Sequence, residues 1–157
     1  MSKEPTEKVI HATCVTVGGR GVLLLGRPGS GKSDLALRLI DTPGLGIGAS
    51  LLQAQLVADD QVKLVRVGDR LEAHAPAALA GLLEIRGLGI MRVAHLQSMR
   101  VDLAVNLRPH VEIERLPDHP SITYAVLGIT IPLVEIDPAT ASAPARVRAA
   151  VHHLFSR

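Results

Sequence analysis

Aromatic residues are nearly absent from this chain of 157 residues, which has one tyrosine, one phenylalanine and no tryptophan. Proteins that bind single-stranded nucleic acids stack the bases on aromatic side chains, so this scarcity argues against that class. The core must instead be built from Leu, Val, Ile and Ala. A hydrophobic fraction of 47% supplies enough of them for a globular domain.

An excess of charge of one sign is missing as well. The chain has 17 Lys and Arg against 15 Asp and Glu, a formal net charge of +2, which is not the basic coat of a nucleic-acid-binding protein. The single cysteine, Cys14, excludes a disulfide framework or a cysteine-rich zinc site and fits a reducing compartment. No apolar run approaches the roughly 20 residues of a membrane span. We therefore expect a cytoplasmic protein with no nucleic-acid or membrane partner.

Short apolar runs alternate with amphipathic segments along the chain, which is typical of an α/β domain. We expect strands over residues 9–17, 22–25, 51–58 and 101–107, one or two more within residues 122–134, and a hairpin over residues 61–75. Helices are expected to begin near Lys32 and to cover residues 76–83 and 144–155. The charged residues 1–8 read as a disordered tail. Because no linker or repeat divides the sequence, we expect one domain over residues 1–157.

A phosphate-binding motif stands between the predicted strand 22–25 and the helix near Lys32. The residues Gly26-Arg27-Pro28-Gly29-Ser30-Gly31-Lys32-Ser33 match the P-loop pattern G-x-x-x-x-G-K-[ST] at every fixed position. Glycines let backbone N–H groups point at phosphate oxygens, Lys32 reaches the β and γ phosphates, and the Ser33 hydroxyl coordinates Mg²⁺. The alternative, a turn that merely joins strand to helix, is disfavoured by this context. The motif predicts binding of a nucleoside triphosphate or pyrophosphate.

Acidic residues follow the next apolar strand. Asp59 and Asp60 come directly after Leu56-Val57-Ala58, where one acid could accept a proton from an attacking hydroxyl while the other orients water or metal. Because successive strand residues point in opposite directions, we expect only one of the two to face the phosphate. Glu84 and Arg86 have two interpretations of equal weight: ligands for Mg²⁺ and phosphate, or an ordinary surface pair.

Four segments of the sequence, in order, resemble the catalytic domain of the HPr kinase/phosphorylase family. They are His11-Ala12-Thr13, the P-loop, Leu56-Val57-Ala58-Asp59-Asp60, and Leu82-Leu83-Glu84-Ile85-Arg86-Gly87-Leu88-Gly89-Ile90. The last segment is the most specific, because it matches a signature of that family alone. The resemblance covers about residues 9–115 well, and the chain resembles a short form that consists of the catalytic domain only.

The resemblance implies an α/β fold of the P-loop kinase-like type, with a mixed, mostly buried sheet and flanking helices. It implies a protein kinase that uses ATP and Mg²⁺ to phosphorylate a serine of HPr, the phosphocarrier of the sugar phosphotransferase system. It also implies the opposing phosphorolysis of phosphoseryl-HPr by inorganic phosphate, which yields pyrophosphate. Family members assemble as hexamers, so the resemblance implies a homo-oligomer.

Site residues carry over from the family position by position. The catalytic set implied in this way is His11, Lys32, Asp60 and Arg115. Asp60 matches the acid that takes the serine proton, and Arg115 matches a later catalytic arginine. Glu84 matches a Mg²⁺ ligand beside Ser33. Asp59 and Arg86 are expected to support the site.

Two stretches depart from the family pattern. Residues 45–52 form a glycine-rich insertion that either covers the nucleotide or changes an oligomer contact. Residues 131–137 carry acids where the family has a basic segment linked to dephosphorylation, which makes the phosphorylase activity less secure than the kinase activity.

Two alternatives to this function remain open: a P-loop kinase of small hydroxylated metabolites, and a non-enzymatic nucleotide-binding regulator of a phosphorelay. In every case the scarcity of aromatic residues predicts that nucleotide affinity resides mainly in the triphosphate, with weak selectivity for the base.

Overall fold

The computed structural model describes residues 5–117 and 122–156, which form strands, two α-helices and two single-turn 3₁₀ helices. The strands are β1 (Glu7–His11), β2 (Thr13–Val17), β3 (Arg20–Leu25), β4 (Ala54–Ala58), β5 (Gln61–Val67), β6 (Arg70–His74), β7 (Leu82–Ile85), β8 (Gly89–Arg92), β9 (Ser98–Leu107), β10 (Thr123–Val126) and β11 (Ile129–Ile136). The α-helices are α1 (Lys32–Asp41) and α2 (Ala143–Phe155), and the 3₁₀ helices cover Ala77–Leu79 and His110–Glu112. None of these helices is long and apolar enough to cross a membrane.

One mixed sheet dominates the fold, as expected for this α/β class. Its main strand order is β1-β5-β6-β9-β3-β2-β4, and β11 joins it by pairing with β9. Strands β3, β9 and β11 are parallel, with Leu25 and Glu135 both aligned with Asn106. Their carboxyl ends therefore lie together at one edge of the sheet, where open α/β sheets bind their ligands.

The sheet is buried on both faces around β3, which explains the run of consecutive apolar residues in that strand. Val22 and Leu24 pack with Leu35 and Leu39 of α1 in a core cluster that also includes α2. Leu23 belongs to a second cluster, on the side formed by β5 and β6. Packing of α1 against β3 fixes the loop between them at the ligand-binding edge.

Several predicted elements occur close to their expected bounds. The helix at Lys32, the β5–β6 hairpin and the C-terminal helix are confirmed. The strand predicted over residues 9–17 is two strands, because β1 pairs with β5 whereas β2 pairs with β3 and β4. The prediction of a tail is wrong for Glu7 and Lys8, which belong to β1, and residues 1–4 lie outside the described residues.

The helix predicted over residues 76–83 is wrong. A single 3₁₀ turn at Ala77–Leu79 is followed by β7, which pairs with β8 in a hairpin. Gly81 has a φ of +75°, a left-handed conformation that interrupts a helix. Leu83 is buried and Glu84 exposed, which is the alternation of a strand. Glu84 is therefore positioned by a hairpin rather than by the end of a helix.

The glycine-rich segment of residues 44–52 lies at the carboxyl end of α1, away from the P-loop. Backbone hydrogen bonds join Gly44 to Leu52, and Gly44 and Gly48 lie against side chains of α2. The segment lines neither of the clefts found beside the P-loop. Its position thus does not support the first of the two expected roles, covering the nucleotide.

Candidate active site

The P-loop occupies residues 26–31, between the carboxyl end of β3 and the first residue of α1. Gly29 and Gly31 have φ values of +79° and +102°, a region that other L-residues rarely adopt, so the turn of the loop requires them. Gly31 is the N-cap of α1, and no side chain caps the helix. The first N–H groups of α1 can therefore donate to an anion, which the helix dipole also attracts.

Lys32 holds the P-loop together. Its Nζ donates hydrogen bonds to the carbonyl oxygens of Gly26 at 2.8 Å and Arg27 at 3.0 Å. Burial lowers the pKa of Lys32, and the nearby carboxylates of Asp59 and Asp60 act in the opposite direction. The ammonium group is therefore bound to the loop and close enough to both acids for their charges to act on it.

Asp59 is a buried carboxylate, 5% exposed, directly after β4. Its Oδ1 accepts hydrogen bonds from the hydroxyls of Thr13 at 2.8 Å and Ser33 at 2.7 Å. Its Oδ2 accepts a hydrogen bond from the backbone N–H of Glu84 at 3.2 Å. One carboxylate thus joins β2, α1 and β7. Asp59 was expected to support the site, and the structure makes it the acid that contacts Ser33.

Asp60 follows Asp59 in the chain but is exposed at the cleft. Its φ of +68° lies in the left-handed region, which is uncommon for residues other than glycine. The N–H of Gln61 donates to the carbonyl oxygen of Asp59 at 2.8 Å and closes a three-residue turn around Asp60. The two adjacent acids therefore differ in role: one is buried against Ser33, and the other is open to an incoming group.

An open cleft of about 490 Å³, which we call the phosphate cleft, brings these groups together. Its polar lining is Thr13, Lys32, Ser33, Asp34, Asp60, Glu84 and Arg86. The cleft thus has two cationic side chains, Lys32 and Arg86, and three acidic ones. Such a set can neutralise a phosphate chain and leave a carboxylate free for proton transfer.

Two predicted catalytic residues lie outside the lining of this cleft. His11 is exposed at the end of β1, where its register partner is Gln61, so its backbone is close to that of Asp60. Arg115 is exposed in the loop that follows the His110–Glu112 turn, and it lines neither cleft beside the P-loop. The structure brings the P-loop, the acids and Arg86 together but leaves Arg115 apart from them.

Two residues at the P-loop were not assigned a role from the sequence. Thr13 is fully buried and holds Asp59, and its only sequence signal is its place in the segment that begins with His11. Arg108 follows β9 and lies beside the P-loop because β9 is parallel to β3. This neighbour relation depends on topology, which the residues around Arg108 do not encode.

The oxygen atoms beside the P-loop fit a magnesium ion. Among the described residues there is no group of three or more His, Cys, Asp or Glu that could hold a metal. Mg²⁺ bound with a nucleotide usually takes one or two protein oxygens, with phosphate and water completing the shell. The Ser33 hydroxyl and the Asp59 carboxylate, already 2.7 Å apart, are hard oxygen donors of that kind.

The chain is similar in sequence to known proteins over most of its length. The chain is 40% identical over 140 residues to the HPr kinase/phosphorylase of Burkholderia lata, and the match covers 83% of this chain but 40% of that relative. It is 37% identical over 137 residues to the HPr kinase/phosphorylase of Caldicellulosiruptor bescii, covering 80% of this chain and 40% of the relative. The chain thus spans less than half the length of these relatives.

A solved structure and a family model give the same result over most of the chain. The Hpr(Ser) kinase/phosphatase of Coxiella burnetii superimposes with a TM-score of 0.74 at 27% identity, over 93% of this chain and 95% of that one. The model of the HPr Serine kinase C-terminal domain matches residues 3–154. The chain therefore belongs to the HPr serine kinase C-terminal domain family.

Proposed function

We propose that this chain catalyses the ATP-dependent phosphorylation of a serine in an HPr-type phosphocarrier protein, with Mg²⁺ as cofactor. Relatives with the name HPr kinase/phosphorylase and the family membership support the substrate class. The observation that carries the proposal is the different placement of two adjacent acids beside the P-loop. Asp59 accepts a hydrogen bond from the Ser33 hydroxyl of the P-loop, while Asp60 is exposed and lines the phosphate cleft.

The P-loop has the groups needed to hold the phosphates of ATP. Backbone N–H groups at the start of α1 would donate to phosphate oxygens, and Lys32 would exchange the carbonyls of Gly26 and Arg27 for phosphate. Ser33 and Asp59 are the residues that would hold Mg²⁺, which supplies charge neutralisation when bound. Glu84 lines the same cleft and can assist them. Phosphoryl transfer depends mainly on such positioning and neutralisation.

Asp60 is proposed as the general base. The serine oxygen attacks the γ-phosphorus, the bond from that phosphorus to the bridging oxygen breaks, and ADP leaves. The hydroxyl proton passes to the Asp60 carboxylate. An exposed carboxylate at the mouth of a cleft suits a protein substrate, whose serine must reach it from outside. His11, next to Asp60 by strand register, and Arg86 in the cleft are proposed to assist. Arg115 remains a candidate through family resemblance alone.

Phosphorolysis is proposed as a second activity of the same site. In that direction inorganic phosphate attacks the phosphoserine, Asp60 returns its proton to the serine oxygen, and pyrophosphate forms. Neither Glu135 nor Asp137, the acids of residues 131–137, lines the phosphate cleft, which supports this part of the proposal. Glu135 accepts a hydrogen bond from the Arg108 guanidinium at 2.6 Å, and Asp137 accepts hydrogen bonds from two backbone N–H groups.

The proposal includes a cytoplasmic homo-oligomer, hexameric by family resemblance, which light scattering on the purified chain would test. The activity itself is tested with purified chain, ATP labelled at the γ-phosphate, Mg²⁺ and HPr, followed by detection of phosphoserine. An HPr variant with its target serine changed to alanine is the control. If ATP binds but no phosphoserine forms on HPr, the kinase proposal fails and the nucleotide-binding regulator becomes the better interpretation. Transfer to small hydroxylated metabolites but not to HPr would favour the metabolite kinase.

A further inference from the structure

A second cleft, of about 740 Å³, lies on the other side of the P-loop from Asp60. It meets the phosphate cleft at Pro28 and Gly29, which line both. Asp60, Lys32 and Ser33 line only the phosphate cleft. A single elongated ligand could therefore pass over the tip of the P-loop with one end in each cleft.

The topology of the sheet builds this second cleft. Its walls are the segments that follow the parallel strands β3, β9 and β11, and these segments supply the P-loop, Arg108 and Asp137 respectively. The walls are already held in place. Asp137 accepts hydrogen bonds from the N–H groups of His110 at 2.8 Å and Ala139 at 2.9 Å, and the N–H of Arg108 donates to the carbonyl of Ile136 at 3.1 Å. The cleft is thus preformed, as ligand sites usually are.

Its charges suit a neutral polar group better than a second phosphate chain. The charged lining residues are Arg27, Arg108, Glu112 and Asp137, two of each sign. The N–H groups of Ala139 and His110 lower the pKa of Asp137, which keeps its carboxylate ionised at neutral pH. Arg108 is bonded to Glu135. Carboxylates can accept hydrogen bonds from sugar hydroxyls, whereas they repel phosphate.

Apolar surface completes the lining. Leu107, Pro109, Pro138 and Ala139 contribute carbon atoms around the charged groups. The buried Ser30 hydroxyl, on the P-loop wall, has no hydrogen-bond partner among the described residues. A cleft with apolar walls and a few polar groups is the usual composition of a small-molecule site.

The direction of the reaction decides which part of the ligand belongs here. Phosphoryl transfer proceeds with the attacking and leaving oxygens roughly in line, on opposite sides of the phosphorus. If Asp60 activates the attacking serine, the leaving ADP must extend away from Asp60 across the P-loop. We infer that the second cleft is a nucleoside subsite, which binds the ribose and base of the nucleotide whose phosphates occupy the phosphate cleft. This inference rests on the proposed function. We call this cleft the nucleoside cleft.

Filling the nucleoside cleft separates its role from that of the P-loop. Ala139 is exposed and lines only this cleft, so Ala139→Cys followed by N-cyclohexylmaleimide places an uncharged, non-aromatic group in it. The native Cys14 is fully buried and burial raises its pKa to about 12, so it should not react. Ala78→Cys, exposed on a 3₁₀ turn and outside both clefts, is the matched control.

Calorimetric titration measures the affinity for ADP, which has a nucleoside, and for pyrophosphate, which has none, each with Mg²⁺. Modification at residue 139 should weaken ADP binding by about tenfold or more, while pyrophosphate affinity changes by less than about twofold. The modified Ala78→Cys protein should bind both ligands as the unmodified protein does.

Other outcomes would overturn the inference. Unchanged ADP affinity after modification at residue 139 would place the nucleoside elsewhere. An equal loss of ADP and pyrophosphate would mean that the label disturbs the phosphate site rather than a nucleoside subsite. If the unmodified protein binds neither ligand, the proposed kinase function fails, and the inference fails with it.

Discussion

The side chains of Ser33 and Asp59, 26 residues apart in the sequence, are joined by a hydrogen bond of 2.7 Å. Ser33 belongs to α1, and Asp59 follows β4 at the edge of the sheet. They meet because β4 pairs with β2, which pairs with the P-loop strand β3. The hydrogen bond of Thr13 to the same carboxylate oxygen stabilises this arrangement. The fold thus holds side by side two oxygen atoms of the kind that magnesium prefers in proteins.

Thr13→Val tests how strongly the fold depends on Asp59. Valine has nearly the shape of threonine but donates no hydrogen bond to the buried carboxylate, so the free energy of unfolding should fall by about 1.5 to 3 kcal/mol. Thr16→Val, on the same strand, is the matched control, because the Thr16 hydroxyl accepts from the neutral N–H of Gln55 at 3.1 Å. The free energy of unfolding of Thr16→Val should fall by less, about 0.5 to 1.5 kcal/mol. Urea denaturation measures both, and equal losses would contradict a special role for the charge of Asp59.

Asp60→Asn tests the assignment of the general base. The amide cannot accept the serine proton, so phosphoryl transfer to HPr should fall by about 10²-fold or more while ATP affinity is retained. Asp69→Asn, at the exposed turn between β5 and β6, is the control and should leave the rate unchanged. Measuring transfer rates and ATP affinity on the same preparations distinguishes a loss of catalysis from a loss of ATP binding. A normal transfer rate in Asp60→Asn would remove Asp60 from the mechanism.

The P-loop could be predicted from the sequence because all its determinants are contiguous. Gly31, Lys32 and Ser33 act through the local path of the backbone and the helix that begins there. The contact of Ser33 with Asp59 could not be predicted in the same way, because it depends on which strands are neighbours. The same limit applies to Arg108, which the parallel pairing of β9 with β3 brings to the P-loop.

The incorrectly predicted helix at residues 76–83 has a different cause. Pro76 and the alanines that follow favour a helical start, and the structure does form one turn at Ala77–Leu79. Pairing of β7 with β8 then outweighs the local preference, and Gly81 permits the change of direction. Local propensity is a weak guide where tertiary pairing competes with it.

Cys14 makes the stability of the protein sensitive to alkaline pH. Burial raises its pKa from 9.0 to about 12, so above pH 9 the unfolded chain releases the thiol proton while the folded chain keeps it. Stability present below pH 9 is therefore lost as the pH rises toward 12. Between about pH 8 and about pH 10 the wild type should lose about 1 to 1.5 kcal/mol more than Cys14→Ala. Urea denaturation under reducing conditions measures this difference, and parallel pH profiles would refute the assignment.

Weak discrimination between purine bases is expected from the nucleoside cleft. Among the described residues no aromatic side chain lines it, so the base can contact proline and leucine surfaces but cannot stack on a ring. The phosphates, held by Lys32 and the backbone N–H groups of the P-loop, should supply most of the affinity. The dissociation constants of ATP and GTP should therefore differ by less than about tenfold. Competition of each nucleotide against a fluorescent ADP analogue measures the ratio. A preference for ATP well above that range would mean that polar groups such as Asn106 recognise the edge of the purine.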